Sequence, residues 1–173
     1  YLNNTTLPAQ RSSTLSGFET RLFNTLKSPD EFNKLLSEVL GFKASWTIDQ
    51  ADHGQYFLKF FSHGHSHSSD GMGEGIVSIF SIVDSLYDSE KGNVVVIDEP
   101  ELSLHPSLQK RLKNLLLHFA KDRQIVISTH SPYFVDVPSF GAGAQLARVV
   151  ATEAGTKIHQ LSSESKAIIH KLA

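Results

Sequence analysis

"NVVVIDEPELSLHP", residues 93–106, decides how the rest of the chain reads. Val94, Val95, Val96 and Ile97 form an unbroken β-branched run, the pattern of a strand covered on both faces of a sheet. The run stops at two adjacent acids, Asp98 and Glu99, followed by Pro100. Open parallel sheets bind ligands outside the carboxyl ends of their strands, so both carboxylates stand where chemistry is done. A second apolar run, "QIVIS" at 124–128, is followed by Thr129, His130 and Ser131. Between the runs, Leu108, Leu112, Leu115, Leu116 and Phe119 recur at helical spacing, with Pro106 near the start of a helix expected over Ser107 to Ala120. Strand, helix and strand in this order predict an α/β sandwich with a parallel central sheet.

Working outward, Ile76, Ile79, Phe80, Val83, Leu86 and Tyr87 define a strongly buried helix just upstream. "SWTID" and "QYFLKFF" read as a β-hairpin across "QADHG". "SPDEFNKLLSEVLG", 28–41, carries helix start and stop signals: Ser28 as N-cap, Pro29 at the first helical position, Glu31 for a capping box and Gly41 as a left-handed C-cap. Its buried stripe is Phe32, Leu35, Leu36, Val39 and Leu40. Phe18, Leu22 and Leu26 suggest a preceding helix, and residues 1–16 read as a polar loop. Downstream, "LARVVA" and "TKIHQL" predict a closing hairpin, with a short helix from Ser163 to Leu172. The expected organisation is one domain over 1–173. Residues 1–60 form an arm of helices and hairpin, 61–140 the core that carries the chemistry, and 141–173 the closing hairpin and helix.

Composition narrows the function classes. With 173 residues, 40% of them hydrophobic, the chain fits one globular domain with a real core. A net charge of −2 gives no global attraction to nucleic acid or anionic membrane. There are no cysteines, which excludes disulfides and thiolate metal sites and makes a reducing cytoplasm the default. No apolar run approaches the roughly 18 residues of a membrane helix, and no secretory signal opens the chain. The first residue is Tyr1 rather than Met, so a fragment of a longer protein is expected.

The acids suit phosphate chemistry. Mg²⁺ carrying a triphosphate keeps most of its waters and takes only one or two protein carboxylates. An adjacent carboxylate can polarise an attacking water. The plain alternative is a pair of solvated acids in a strand-to-helix loop. If the two strands are neighbours, His130 and Glu99 converge on one crevice, where a neutral imidazole can donate a hydrogen bond to a γ-phosphate. The plain alternative for His130 is a cap on a short helix in "SPYFVD".

Two motifs carry a resemblance. "VVVIDEPELSLHP" resembles the Walker B motif and D-loop of the ABC-type ATPase superfamily, and "ISTHSPYFVD" its histidine switch. Glu-x-x-Leu-His-Pro, in place of the Ser-Ala-Leu-Asp of transporters, resembles the branch of the overcoming-lysogenisation-defect (OLD) and RecF-like ATPases and their chromosome-maintenance relatives. The likeness covers about residues 60–140 and implies a P-loop-NTPase-like parallel sheet flanked by helices. It implies that Asp98 holds Mg²⁺ through water, that Glu99 is the catalytic base and that His130 contacts the γ-phosphate of ATP. Ser103, Leu104 and His105, within Leu102 to Pro106, would form a D-loop across a dimer interface.

By the same resemblance, a signature motif belongs one helix before Walker B. Ser69, Asp70 and Gly71, followed by Met72, Gly73, Glu74 and Gly75, occupy that place. Exposed N–H groups at a helix start, with glycines permitting close approach, suit an anion. In the family this surface grips ATP bound to the opposite subunit of a homodimer. Asp70 and Met72 depart from the transporter glycine and glutamine, while Ser-Asp-Gly is frequent in the OLD-like branch. "GMGEGI" is not a dinucleotide fingerprint, because Ile76 stands where the third glycine belongs. His63, His65 and His67 alternate just upstream and in an extended strand would share one face. Three imidazoles suit Zn²⁺, but with no fixed fourth ligand they are expected to lie on a polar loop that scavenges Zn²⁺ or Ni²⁺ at high concentration.

The 173 residues contain no G-x-x-x-x-G-K-[ST] motif. The chain is therefore expected to be the C-terminal part of an ABC-type ATPase domain whose P-loop lobe lies elsewhere, inactive by itself. The resemblance further implies a role in DNA-linked repair or anti-phage defence, with DNA or a Toprim nuclease domain as partners and no membrane. The alternative is a non-catalytic dimerisation module that keeps the fold without turnover.

Overall fold

The structure, a computed structural model, describes residues 18–50, 56–62, 65–68, 73–135, 143–153 and 155–160. The chain divides into two compact units, Tyr1–Ser128 and Thr129–Ala173.

Two helices open the first unit, α1 (Phe18–Thr25) and α2 (Asp30–Leu40). The expected Ser28 cap gives way to Pro29, which holds the N-cap position without a side-chain bond. Ser28 instead donates its N–H to Thr25 O, closing the turn from α1, while Pro29 O takes the first helical bond from Asn33 N–H at 2.7 Å. Proline can offer that carbonyl without needing a donor of its own. Gly41 ends the helix as expected, left-handed at φ 80°, with its N–H on Ser37 O. Arg111 covers this terminus: its Nη1 donates to Leu40 O at 2.9 Å. A β-carbon on Gly41 would lie 2.3 Å from the same atom, at the movable tip of a long side chain, so it is the left-handed backbone that calls for glycine here.

An antiparallel sheet follows, in the order β1 (Ser45–Gln50), β2 (Tyr56–Ser62), β3 (His65–Ser68). Trp46 and Ile48 on β1 and Leu58 and Phe60 on β2 alternate inward and are buried. The β1–β2 hairpin was legible in this alternation. The third strand was not: the histidine stretch, expected as a loop, supplies β3, which pairs with β2 from Lys59↔Ser68 to Ser62↔His65. Backbone pairing satisfies the second edge of β2 whatever side chains the partner carries, so a polar strand serves. His63 lies outside the described residues.

The long helix α3 (Glu74–Asp88) packs beside α2 and against the sheet. An aromatic cluster joins them. Phe32 of α2 stands 5.4 Å from Trp46, 6.3 Å from Phe80 and 5.6 Å from Tyr87, ring centre to ring centre. Phe80 in turn meets Phe60 at 6.0 Å. Leu22, Leu36, Ile79, Leu86 and Leu112 fill the space around it, all fully buried. An ion pair lies in this interior: Arg21 of α1 donates to Asp84 of α3 at 2.8 Å, both side chains under a tenth exposed.

The parallel pair completes the unit. β4 (Val94–Asp98) and β5 (Gln124–Ser128) run in register from Val94↔Gln124 to Asp98↔Ser128. The crossover between them is α4 (Pro106–Phe119), the connection a parallel pair demands. The expectation that β4 is covered on both faces is corrected. Val95, Ile97, Ile125 and Ile127 are half-buried, but Val94 is 58%, Val96 71% and Val126 43% exposed. The run is apolar on both faces, as the sequence says; α3 packs against β4 from one side, and among the described residues nothing covers the other.

In the second unit, β6 (Ala147–Thr152) and β7 (Gly155–Gln160) form the expected antiparallel hairpin. "SPYFVD" makes a turn over 132–135 rather than a short helix, closed by Phe134 N–H on Ser131 O and Val135 N–H on Pro132 O. The Thr129 and Ser131 hydroxyls accept the N–H groups of Ser131 and Tyr133. The loop expected over 1–16 and the helix expected over 163–172 lie outside the described residues.

Removing one partner of a buried ion pair takes from the other charge its nearest compensation, which costs about 3–5 kcal/mol. Asp84→Ala is expected to lower stability by that order in urea unfolding followed by Trp46 fluorescence. The double replacement Arg21→Met with Asp84→Leu is expected to recover most of the loss. A single replacement that leaves the midpoint unmoved would contradict the pair's importance.

Candidate functional site

The site begins where β4 stops. Glu99 extends the ladder by one bond, its N–H donating to Ser128 O at 3.0 Å. It then leaves the sheet with φ 43°, a left-handed backbone that a residue with a β-carbon rarely adopts. Such conformations cost on the order of 1–3 kcal/mol and persist where surrounding structure over-determines them. Here a turn fixes it, with Leu102 N–H on Glu99 O at 3.1 Å and Leu104 N–H on Glu101 O at 3.0 Å. Pro100 is buried within this turn. Asp98 is exposed and Glu99 half-buried, and the Ser128 hydroxyl donates to Asp98 Oδ1.

The segment that follows is held from several sides. Ser103, also left-handed at φ 57°, bonds Glu74 Oε2 through its hydroxyl at 3.2 Å. Leu104 is buried, and its carbonyl accepts Gln109 Nε2 at 2.8 Å. His105 caps α4: its Nδ1 accepts Ser107 N–H at 3.3 Å, with Pro106 at the first helical position. Gly75 supplies the closest approach. A β-carbon there would lie 2.4 Å from Ser103 O and 2.9 Å from Leu104 Cδ2. The turn after the acids therefore rests on the first turn of α3.

Of the residues expected to form the anion-binding loop, Gly73 is described. It is the N-cap of α3, at φ −59° and ψ 136°, and its carbonyl accepts Ile76 N–H at 2.9 Å. Ser69, Asp70 and Gly71 lie outside the described residues. His130 belongs to the second unit, two residues beyond the end of β5, with its side chain exposed. Two residues escaped the sequence reading, Ser128 and Gln109, while Glu74 and Gly75 were read within the signature stretch and not as the support of the turn after the acids. Ser128 carried the same signal as Asp98, a polar residue ending an apolar run. Gln109 carried a fainter one, a polar residue three before Leu112 on the buried stripe.

The donor set fits Mg²⁺. A carboxylate at a solvent-facing strand end offers hard oxygen, and this ion takes one or two carboxylates while keeping water and phosphate for the rest of its shell. Among the described residues there is no cluster of three His, Cys, Asp or Glu that could hold a metal.

Comparison with known proteins gives the family and the fold. Residues 7–136 match the family described as "AAA domain, putative AbiEii toxin, Type IV TA system". The chain belongs to this family. It is 44% identical over 80 residues to an OLD nuclease of Thermus scotoductus, a match that spans 42% of this chain and 15% of that relative. In fold it is similar to an SMC ATPase studied for ATP-driven dimerization and DNA-stimulated activation, with a TM-score of 0.62 at 13% identity over 89% of this chain and 96% of that one. The Smc head domain of Pyrococcus furiosus gives 0.61 at 13% identity over 89% of this chain and 39% of that one. The SMC head of Thermotoga maritima gives 0.53 at 16% over 84% and 52%. The fold is thus the α/β fold seen in SMC ATPase heads. No helix among the described residues is long and apolar enough to cross a membrane.

The contact at Gly75 is backbone against β-carbon, which cannot be relieved by a rotamer change. Gly75→Ala is expected to push the 101–105 turn off α3, lowering stability by about 1–3 kcal/mol. It should also speed limited proteolysis within that turn. Wild-type melting and cleavage in the variant would show that the turn yields without cost.

Proposed function

We propose that this chain is the Walker B, D-loop and signature portion of an ATPase that hydrolyses ATP in a nucleotide-sandwiched homodimer. The observation that carries the reading is the Asp98–Glu99 pair at the carboxyl end of β4, with Glu99 held in a left-handed turn. Asp98 would hold Mg²⁺ through water, and the ion, when bound with ATP, neutralises charge on the phosphates. Glu99 takes the proton of the attacking water, for which its carboxylate needs a fixed place, and the left-handed turn supplies one. His130 donates a hydrogen bond to the γ-phosphate. Ser69, Asp70, Gly71 and Gly73 present N–H groups and a hydroxyl to ATP held by the partner protomer, and Ser103, Leu104 and His105 line the interface between protomers.

Turnover requires a Walker A motif, which this stretch does not contain. The chain spans 15% of its OLD nuclease relative, so what hydrolysis drives is a further reading. That relative's name supports a role beside a nuclease activity, and the motif resemblance extends the proposal to DNA-linked defence or repair in the cytoplasm. The SMC likeness in fold agrees with ATP-dependent dimerisation as the working step.

In the protein expressed as its gene encodes it, Glu99→Gln is expected to keep ATP binding, slow hydrolysis about 10²- to 10⁴-fold and trap the ATP-bound dimer. Normal turnover in that variant would remove Glu99 from its role. Ser69→Arg is expected to abolish hydrolysis that depends on dimerisation while sparing nucleotide binding by each protomer. A wild-type dimer that forms without ATP and never hydrolyses it would favour the non-catalytic module.

A further inference from the structure

Ser128, the last residue of β5, grips both acids of the neighbouring strand. Its hydroxyl donates to Asp98 Oδ1, and its carbonyl accepts Glu99 N–H at 3.0 Å. Asp98 and Ser128 are register partners, so their side chains leave the sheet on the same face and meet without either strand departing from its ladder. An exposed carboxylate otherwise samples several rotamers, each presenting its oxygens differently. A donor on Oδ1 selects among them and leaves Oδ2 to water. The carbonyl acts on the next residue: it anchors the Glu99 backbone at the point where the chain turns left-handed.

We propose that Ser128 is a positioning residue of the ATPase centre, its hydroxyl setting the Asp98 carboxylate to receive hydrated Mg²⁺ while its carbonyl fixes the start of the Glu99 turn. The inference rests on the reading of Asp98 as the magnesium residue. It adds a member to the site that touches neither nucleotide nor ion and acts through two neighbours. Groups that orient a metal-binding carboxylate influence metal affinity about 10- to 100-fold. The solvent-facing position of both side chains places Ser128 at the lower end.

Ser128→Ala removes the hydroxyl and keeps the carbonyl, which separates the two arms. The protein expressed as its gene encodes it is titrated with Mn²⁺ in the presence of ATP, and the free ion is read by electron paramagnetic resonance. Ser128→Ala is expected to weaken Mn²⁺ binding about 10-fold at unchanged melting temperature. Ser128→Thr is expected to restore it, and KM for ATP at saturating metal to stay as in wild type. Asp98→Asn serves as the control and is expected to lose binding outright. Lost binding in Asp98→Asn with wild-type binding in Ser128→Ala overturns the part given to Ser128 alone. Unchanged binding in both variants, or no protein-dependent binding in wild type, overturns the magnesium reading and the inference together. Weakened binding that Thr does not restore, with a lowered melting temperature, makes Ser128 a structural residue and overturns the inference as well.

Discussion

The hydrogen bond from Glu99 N–H to Ser128 O is the constraint around which the site is arranged. It is the last rung of the parallel ladder, one residue past the Asp98↔Ser128 pair. Pro100 comes next with its ring-fixed φ, and the chain leaves the sheet there. Glu99 meets both demands, a ladder bond behind and a departure ahead, by taking a left-handed backbone that its β-carbon disfavours. The conformation is held because Pro100 and Leu104 are buried beyond it and the Glu99 and Glu101 carbonyls accept N–H groups within the turn. A carboxylate on such a residue has its backbone origin defined by the fold rather than by a flexible loop.

From that turn the chain passes over the start of α3 before entering α4. Glu74, Gly75 and Gln109 fix it through a hydroxyl bond, a backbone contact that excludes a β-carbon, and a buried amide bond. Packed contacts of this kind shift in discrete steps instead of deforming smoothly. A displacement of the Ser103–Leu104 segment is therefore felt at the first turn of α3, whose N-cap is Gly73. The acids, the segment after them and the helix that begins at Glu74 form one mechanical body.

Much of this was legible in the sequence, for identifiable reasons. The β-branched run 94–97 and the run 125–127 gave the parallel pair because no other local pattern suits so many apolar branched residues in succession. Alternation gave the β1–β2 hairpin, and Gly41 gave the end of α2 because only a left-handed residue closes a helix that way. Three features were hidden. β3 is made of histidine and serine, and its existence depends on the free edge of β2, a tertiary fact. The cap fell at Pro29 and not Ser28 because the first helical bond, from Asn33 N–H, ends on Pro29 O, one residue later than the side-chain signal suggested. The exposed face of β4 was hidden because periodicity reports the polarity of a face and is silent on what lies against it. Within the site, motif spacing marked Asp98 and Glu99, whereas Ser128 and Gly75 are defined by partners about 30 residues away in sequence, which no local pattern encodes.

The uncovered face of the parallel pair has a consequence of its own. Val94, Val96 and Val126 form an apolar strip on a two-stranded sheet, and among the described residues each of its strands has one edge without a partner. A flat apolar strip beside open backbone donors and acceptors is a template for strand addition between molecules. Colloidal behaviour is thereby tied to the same strand that presents the acids. Handled as the 173-residue stretch alone, the protein is governed in solution by its concentration and by the salt and temperature that set hydrophobic association, before any nucleotide is added.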